Sequence, residues 1–173
     1  MLIAGSPGSG KTTLARKLAA RLSLTHNELD ALYHGPGWMK RPTFEKEVEI
    51  FSAEPGWVTE DQYHSFIGEL LWKRADTLVW LDFKHRTVML RVTRRSLIRA
   101  LMRRELWNGN RERFRDWLKL SHPVRSSLSE YATKRRLTAD RIIRHPHLDV
   151  VRLSSARNAR IWLASVRLRG WEK

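Results

Sequence analysis

The stretch Gly5–Thr13, GSPGSGKTT, constrains the fold of this chain more than any other feature. It follows the apolar run MLIA and precedes KTTLARKLAARL, where Leu14, Leu18 and Leu22 recur at helical spacing. The pattern G-x-x-x-x-G-K-[ST], placed between a strand and a helix, is typical of a loop that wraps phosphate groups. The three pieces together predict an α/β domain that binds a nucleoside triphosphate.

The residue types in this loop match what phosphate binding requires. Glycines let the backbone wrap closely and point its N–H groups at phosphate oxygens, and the helix that begins near Lys11 adds its positive end. We expect Lys11 to reach the β- and γ-phosphates of ATP and Thr12 to ligate Mg²⁺. The predicted nucleotide-binding residues of the loop are Gly5, Ser6, Gly8, Ser9, Gly10, Lys11, Thr12 and Thr13.

Beyond the loop, apolar runs alternate with helical patterns, which predicts parallel βαβ units. The later predicted strands are a brief one ending near Asp30 and the segments WVTE, TLVWLDF and DVVRLS. Helical patterns cover TFEKEVEIF, SFIGELLWKRA, RTVMLRVTRRSLIRALMRRE and SARNARIWLASVRL. With 173 residues and neither an internal repeat nor a linker, residues 1–173 are expected to form a single domain.

The charge of the chain is strongly positive. It has 33 Lys and Arg against 18 Asp and Glu, a formal net charge of +15, which favours anionic partners such as nucleotides, RNA and DNA. Arginines spread over the C-terminal two-thirds also fit solvated helix faces. The chain has no cysteine, which excludes disulfides and thiolate-bound zinc. Because we find no apolar run that spans a bilayer and no secretory signal, we expect a soluble cytoplasmic protein.

A phosphate loop of this kind works with a second acidic group near Mg²⁺, usually at the end of a neighbouring strand. The segment WVTED ends in Glu60 and Asp61, and the segment TLVWLD ends in Asp82. By hydrophobicity TLVWLD is the clearest central strand. The residues alone therefore leave both segments as candidates.

The order of these segments resembles that of the nucleoside monophosphate kinases, of which adenylate kinase is the familiar member. It is most similar to small adenylate-kinase-like bacterial proteins described as topology modulation proteins. The resemblance rests on GSPGSGKTTLA, ELDALYHGPGW, WVTEDQYHS, RADTLVWLDF and RRELWNGNRE. It implies a three-layer P-loop NTPase sandwich with a five-stranded parallel sheet in the order 2-3-1-4-5 and a helical lid at about residues 91–140. It also implies that the protein uses ATP and Mg²⁺ to phosphorylate a small acceptor, a nucleotide or a nucleoside.

The same resemblance assigns roles to individual residues. In those kinases the strand beside the phosphate-loop strand ends in Asp-Gly, and its Asp supports magnesium. The matching pair here is Glu60-Asp61, so the metal role is expected for Thr12 with Glu60 or Asp61, and Asp82 is expected to be structural. Arg157, after the last strand, matches a position that contacts adenine in that family.

Arg91 and Arg95 lie four residues apart on one face of the predicted basic helix. Phosphoryl transfer needs cations that neutralise the moving group, and in adenylate-kinase-like enzymes two arginines with this spacing flank the lid. The same spacing also fits a solvated basic face. The turn-prone Asn-Gly-Asn of LWNGN then interrupts the helix, as a lid tip or as an ordinary helix corner.

Asp30 follows the second predicted strand, where this kinase class begins its acceptor-binding segment. Its carboxylate is expected either to orient and deprotonate an acceptor hydroxyl or to cap the next helix. The segment that follows offers aromatic rings and cations suited to a base or sugar with a phosphate. These residues are Tyr33, His34, Trp38, Lys40 and Arg41, and Trp38 equally fits the core.

Two functions follow from these features. The first is a phosphotransferase with Lys11, Arg91, Arg95 and Asp30 as catalytic residues, in which a lid excludes water and favours transfer over hydrolysis. The second is a basic nucleic-acid-binding protein that uses ATP binding or hydrolysis as a switch. The net charge and the basic segments between Arg91 and Arg144 favour the second.

Overall fold

The structure is a computed structural model that describes residues 1–101 and 130–166. The strands are β1 (Leu2–Gly5), β2 (Thr25–Asn27), β3 (Trp57–Glu60), β4 (Thr77–Leu81) and β5 (Asp149–Leu153). The helices in the described ranges are α1 (Lys11–Leu22), α2 (Leu29–Tyr33), α3 (Phe44–Ala53), α4 (His64–Ile67), α5 (Leu70–Arg74), α6 (His85–Leu101), α7 (Tyr131–Arg144) and α8 (Ala156–Ser165). The predicted lid tip LWNGN lies outside the described residues.

The five strands form one sheet in the order β2-β3-β1-β4-β5, and every neighbouring pair is parallel. The predicted topology is therefore confirmed. β1 lies at the centre, where all four of its residues pair with β4 and its other edge pairs with β3. Leu2, Ile3 and Ala4 are fully buried, which is why this strand reads as an uninterrupted apolar run.

Helices cover both faces of the sheet. On one face, leucines and alanines of α1 pack with Ile3, Val58 and Val79. On the other face, helices α2, α3 and α5 pack with Leu2 and Trp80. The alternation of side chains along each strand separates the two cores, and the result is a three-layer sandwich.

Two local expectations are wrong. The pattern SFIGELLWKRA predicts one helix, but Gly68 has φ 54° and ψ −129° and separates α4 from α5. A backbone in that region of φ/ψ space cannot continue a helix, and glycine adopts it easily. The second strand ends at Asn27 rather than near Asp30, and Asp30 instead lies in the first turn of α2.

The described helices do not include one with both the length and the apolarity needed to cross a bilayer.

Asp82 fastens the carboxyl end of β4 to two neighbouring elements. Its Oδ1 accepts a hydrogen bond of 2.7 Å from Nε of Arg135 on α7, and its Oδ2 accepts one of 2.9 Å from Nε of Arg152 on β5. Its backbone N–H donates to the carbonyl oxygen of Leu153. Burial acts to raise the pKa of Asp82, but the two guanidinium groups outweigh it and lower the pKa.

The lowered pKa of Asp82 predicts that the free energy of unfolding of the protein decreases at acidic pH. We expect Asp82→Asn to lower the free energy of unfolding at pH 7, because both ion pairs are lost. The loss should be only about 1–2 kcal/mol, since both arginines are about half exposed and solvent weakens their ion pairs. A lowered pKa contributes stability that is complete above the unfolded-state value of about 3.9 and is lost as pH falls through the folded-state value. The difference between the two proteins should therefore shrink below about pH 4.

Urea unfolding between pH 7 and pH 3 measures this difference. Asp140→Asn, an exposed position on the same helix α7, is the control. A gap between wild type and Asp82→Asn that stays constant across the range would contradict the role of the ion pairs.

Candidate active site

The phosphate loop leads from the end of β1 into α1 and is tightly packed. Gly5 and Gly8 have φ of +148° and +82°, a region that L side chains rarely adopt. A Cβ on Gly8 would lie 2.9 Å from Cβ of Val92 on α6, and one on Gly5 would lie 2.9 Å from the carbonyl oxygen of Leu81. Only glycine therefore allows the loop to pass between β4 and α6.

This packing brings α6 and its predicted arginine against the loop. Nη1 of Arg91 donates to the carbonyl oxygen of Ser9 at 3.2 Å, and the guanidinium lies 5.3 Å from the ring centroid of Phe83. Arg95, one helical turn later, is partly buried. Arg91 therefore packs against the loop and is not a solvated surface residue.

Lys11 is the partly buried cation of the loop. Its Nζ donates to the carbonyl oxygen of Gly5 at 2.8 Å. Burial lowers the pKa of Lys11, and the carboxylates of Asp30, Asp61 and Glu60 act in the opposite direction. Four predicted site residues from three separate segments thus influence one another electrostatically, and the carboxylates act on the amine that is expected to bind phosphate.

Glu60 and Asp61 have different surroundings. Glu60 is fully buried, with Oε1 lying 3.1 Å from Nε2 of His26 and Oε2 accepting from the backbone N–H of Leu29 at 3.4 Å. Asp61 accepts a hydrogen bond of 2.7 Å from Nε1 of Trp72. Trp72 belongs to the core on the face of the sheet that α2, α3 and α5 cover.

The pKa of Asp61 reflects this second environment. Burial acts to raise it, but interactions with His64 and the Trp72 indole outweigh burial and lower it. Nε2 of His64 lies 3.0 Å from Oδ1 of Asp61. Both acids thus have partners within the protein, Glu60 through both carboxylate oxygens and Asp61 through Oδ1, and the metal role of either one stays a prediction.

The residues of the loop fit a triphosphate and Mg²⁺. The Ser9 Oγ is buried and has no hydrogen-bond partner among the described residues, so it is a donor suited to a phosphate oxygen. Thr12, partly buried in the first turn of α1, supplies the hydroxyl that Mg²⁺ binds in such loops. Mg²⁺ needs only one or two protein oxygens besides phosphates and waters, and Thr12 with Glu60 or Asp61 offers that number of oxygens, so the predicted metal role is compatible with the residues present.

A cavity of about 540 Å³ opens beside the loop. Its walls come from the loop, α1, the ends of β4 and α6, and one face of α8. The lining residues are Ser9, Gly10, Thr13, Leu14, Lys17, Leu81, Phe83, Arg91, Ala156, Ala159, Arg160 and Leu163. This volume suits a small-molecule ligand.

The sequence analysis assigned a nucleotide contact to α8 through Arg157, but it did not identify the residues of α8 that line this cavity. Arg157, the predicted adenine contact, is exposed in the first turn of α8, and the helix lines the cavity through Ala156, Ala159, Arg160 and Leu163. These four residues are spaced three and four apart in the sequence, which defines one face of a helix. From this spacing their common face could have been predicted.

On the acceptor side, Asp30 is held by a tyrosine that the sequence did not single out. The phenol of Tyr63 donates to Oδ1 of Asp30 at 2.6 Å and lies 3.2 Å from Nε2 of His34. Burial and then the Asp30 carboxylate raise the pKa of Tyr63 strongly, so the phenol keeps its proton. Burial lowers the pKa of His34, which leaves its imidazole neutral at pH 7. Tyr63 follows Glu60-Asp61 at the carboxyl end of β3. Because site residues in parallel sheets lie at the carboxyl ends of the strands, this position could have identified Tyr63 from the sequence.

Most of the basic residues of α7 lie near carboxylates. Lys134 lies 2.8 Å from Glu130, and Arg141 and Arg144 lie 3.3 and 3.0 Å from Glu69. Part of the positive charge between residues 91 and 144 is therefore balanced within the protein, and binding of nucleic acid to these segments stays a prediction.

Comparisons with known proteins bear on the fold. No protein-family model matches the chain, and no curated protein matches it. Among solved structures, it is similar to shikimate kinase from Acinetobacter baumannii in complex with shikimate, with 17% identity and a TM-score of 0.57 over 94% of this chain and 87% of that chain. The fold is thus that of the P-loop kinases, as predicted. The narrower resemblance to topology modulation proteins stays a prediction.

The contact between Gly8 and Val92 generates a test of the nucleotide site. We expect Gly8→Ala to weaken ATP binding by about tenfold or more, because the new Cβ must displace α6 or distort the loop amides. Gly37→Ala is the matched control: Gly37 also has positive φ, at +68°, but a Cβ there meets nothing within 4 Å.

Calorimetric titration with ATP compares the two variants. Equal affinities for the Gly8 and Gly37 variants would rule out the steric explanation.

Proposed function

We propose that this protein is an ATP-dependent phosphotransferase that moves the γ-phosphate of ATP to a hydroxyl group of a small acceptor of the nucleotide or nucleoside class. The observation that carries the proposal is the meeting of Lys11, Arg91, Asp30 and Glu60 around one loop. A simple triphosphate-binding protein needs the lysine and the loop amides, but it has no need of a carboxylate such as Asp30 on the acceptor side. The similarity of fold to a shikimate kinase also supports a small-molecule acceptor.

In this proposal the loop holds the phosphates of ATP. Backbone N–H groups, the Ser9 hydroxyl and the Lys11 ammonium group bind phosphate oxygens. Thr12 and Glu60, with Asp61 as the alternative acid, hold Mg²⁺, which neutralises charge between the phosphates when bound. The cavity lined by Phe83, Arg160 and α8 receives the rest of the nucleotide.

The remaining residues act on the transferred group. Asp30 orients the acceptor hydroxyl and takes its proton as the acceptor oxygen bonds to the γ-phosphorus and ADP leaves. Arg91 and Arg95 stabilise the negative charge of the moving phosphoryl group. Arg91 is positioned for this by its contact with the loop at Ser9.

Lys11→Ala tests the phosphotransferase assignment. We expect the variant to lower ATP-dependent phosphorylation by about a hundredfold or more, because the main cation on the transferred phosphate is lost. The measurement is an acceptor screen with labelled ATP over nucleosides, nucleotides and short oligonucleotides. Lys73→Ala, an exposed lysine on α5, is the control, and unchanged turnover in Lys11→Ala would refute the assignment.

Asp30→Asn tests the acceptor side separately. Loss of a positioned base lowers the chemical step by about 10²–10⁴-fold, so kcat should fall while the KM for ATP stays within a few-fold. Glu54→Gln, an exposed position after α3, controls for loss of one negative charge. If Asp30→Asn retains full kcat, Asp30 has only a structural role in α2.

A further inference from the structure

The hydrogen bonds around Asp30 leave it little freedom. Tyr63 holds Oδ1 at 2.6 Å, and the same phenol oxygen lies 3.2 Å from the neutral imidazole of His34. Tyr63 itself has φ 59°, a left-handed conformation that is rare for residues other than glycine. Such conformations persist only where the surrounding contacts impose them, and they cluster at functional sites.

Aromatic rings surround this group of hydrogen bonds. The rings of Tyr33 and Tyr63 are stacked with centroids 4.1 Å apart, and Phe66 lies 5.4 Å from Tyr33. The edge of Trp38 meets His34 at 5.0 Å. Trp38 and Phe66 are 38% and 42% exposed, so both add accessible aromatic surface to this region, with the Lys40 ammonium group 4.7 Å from the centroid of the Phe66 ring.

Among the described residues, the two cations nearest to these rings in the sequence, Lys40 and Arg41, are paired with carboxylates. Arg41 makes two hydrogen bonds to Glu47, at 3.2 and 2.7 Å, and a third to the carbonyl oxygen of Leu32 at 3.3 Å. Lys40 forms an ion pair with Glu45. The two residues that the sequence suggested for an acceptor phosphate therefore both neutralise carboxylates of α3.

The balance of charge disfavours a phosphorylated acceptor. A phosphate monoester that approached Asp30 would meet its carboxylate, and in the proposed function the Lys11 ammonium group is engaged by the phosphates of ATP, while Lys40 and Arg41 have carboxylate partners of their own. Like charges in contact are costly in a recognition site. An uncharged alcohol meets no such repulsion, and it can donate its hydroxyl proton to Asp30.

We infer that the acceptor is an uncharged, ring-bearing alcohol such as a nucleoside and not a nucleoside monophosphate, and that Tyr63 is the positioning residue that aims Asp30 at its hydroxyl. The inference rests on the proposed function and narrows it from nucleotides and nucleosides to the uncharged class. Apolar and aromatic surfaces bind the flat faces of sugars and bases, while the Asp30 carboxylate selects a hydroxyl group.

Matched pairs of nucleosides and their 5′-monophosphates test the acceptor class. We expect kcat/KM to be about tenfold or more higher for the nucleoside of the preferred pair. The same preference should hold for equilibrium binding to the wild-type protein saturated with a non-hydrolysable ATP analogue. A monophosphate that binds or reacts better would overturn the inference and leave the phosphotransferase proposal intact.

Binding also separates the two proposals when no acceptor reacts. If no compound is phosphorylated above the Lys11→Ala background, the proposed function fails, and a binding preference for the nucleoside still supports the inference about the site. If neither member of any pair binds, the inference itself is overturned.

The double variant Glu45→Gln with Glu47→Gln provides a gain-of-function test. It releases Lys40 and Arg41 from their carboxylates, so kcat/KM for monophosphates should rise by about tenfold while that for nucleosides stays within about threefold. Each single variant should shift the ratio in the same direction by less, and the single variants serve if the double variant has a much lower Tm. An unchanged ratio in properly folded variants would count against the role of these ion pairs.

Tyr63→Phe tests the positioning role, with Tyr131→Phe as its control, because Tyr131 also loses a hydrogen-bonded hydroxyl but lies on α7 and donates to the carbonyl oxygen of Phe83. Loss of the Tyr63 hydroxyl should lower kcat for the acceptor by about tenfold or more and leave the KM for ATP unchanged. Tyr131→Phe should retain kcat within about twofold. Equal effects of both variants, or an effect confined to Tm, would show that Tyr63 has only a packing role.

Discussion

The partly buried ammonium group of Lys11 is the constraint on which the rest of this structure depends. A cation that loses part of its hydration must be compensated by hydrogen bonds and opposite charge. The carbonyl oxygen of Gly5 supplies the hydrogen bond, and Asp30, Glu60 and Asp61 supply the charge. Because these acids come from α2 and from the end of β3, the compensation of one lysine relates three separate segments of the chain to one another.

The second requirement is close packing between the loop and α6. Gly8 lies so near Val92 that no side chain fits between them. The same proximity allows Arg91 to reach the carbonyl oxygen of Ser9. The absence of a side chain at Gly8 thus lets α6 approach the loop, and this approach places the Arg91 guanidinium group beside the loop.

Much of the fold could be predicted because its signals are local. The glycine-rich loop between an apolar strand and a helix needs only consecutive residues, and β4 and α1 were predicted from similar short patterns. The break at Gly68 was missed because an apolar pattern continues across it, although the glycine conformation interrupts the helix. Asp30 was placed after a strand, whereas it lies within α2, because a short strand and a short helix have similar patterns.

The candidate site could be predicted in part. Lys11, Arg91, Asp30 and Glu60 were each proposed from motif, spacing or resemblance, and the structure brings them into one region. Tyr63 was missed because its role depends on Asp30, thirty-three residues earlier in the chain.

The sequence by itself determined the phosphate loop, the alternation of strands and helices, and the identity of the charged residues available to a site. Only the tertiary structure decided which of those charges are paired. Arg41 is satisfied by Glu47 and Asp61 by Trp72, whereas Arg91 contacts the loop. The reason is physical: the energy of a charge depends on its burial and on neighbours a few ångströms away, and these are properties of the folded chain and not of residue order.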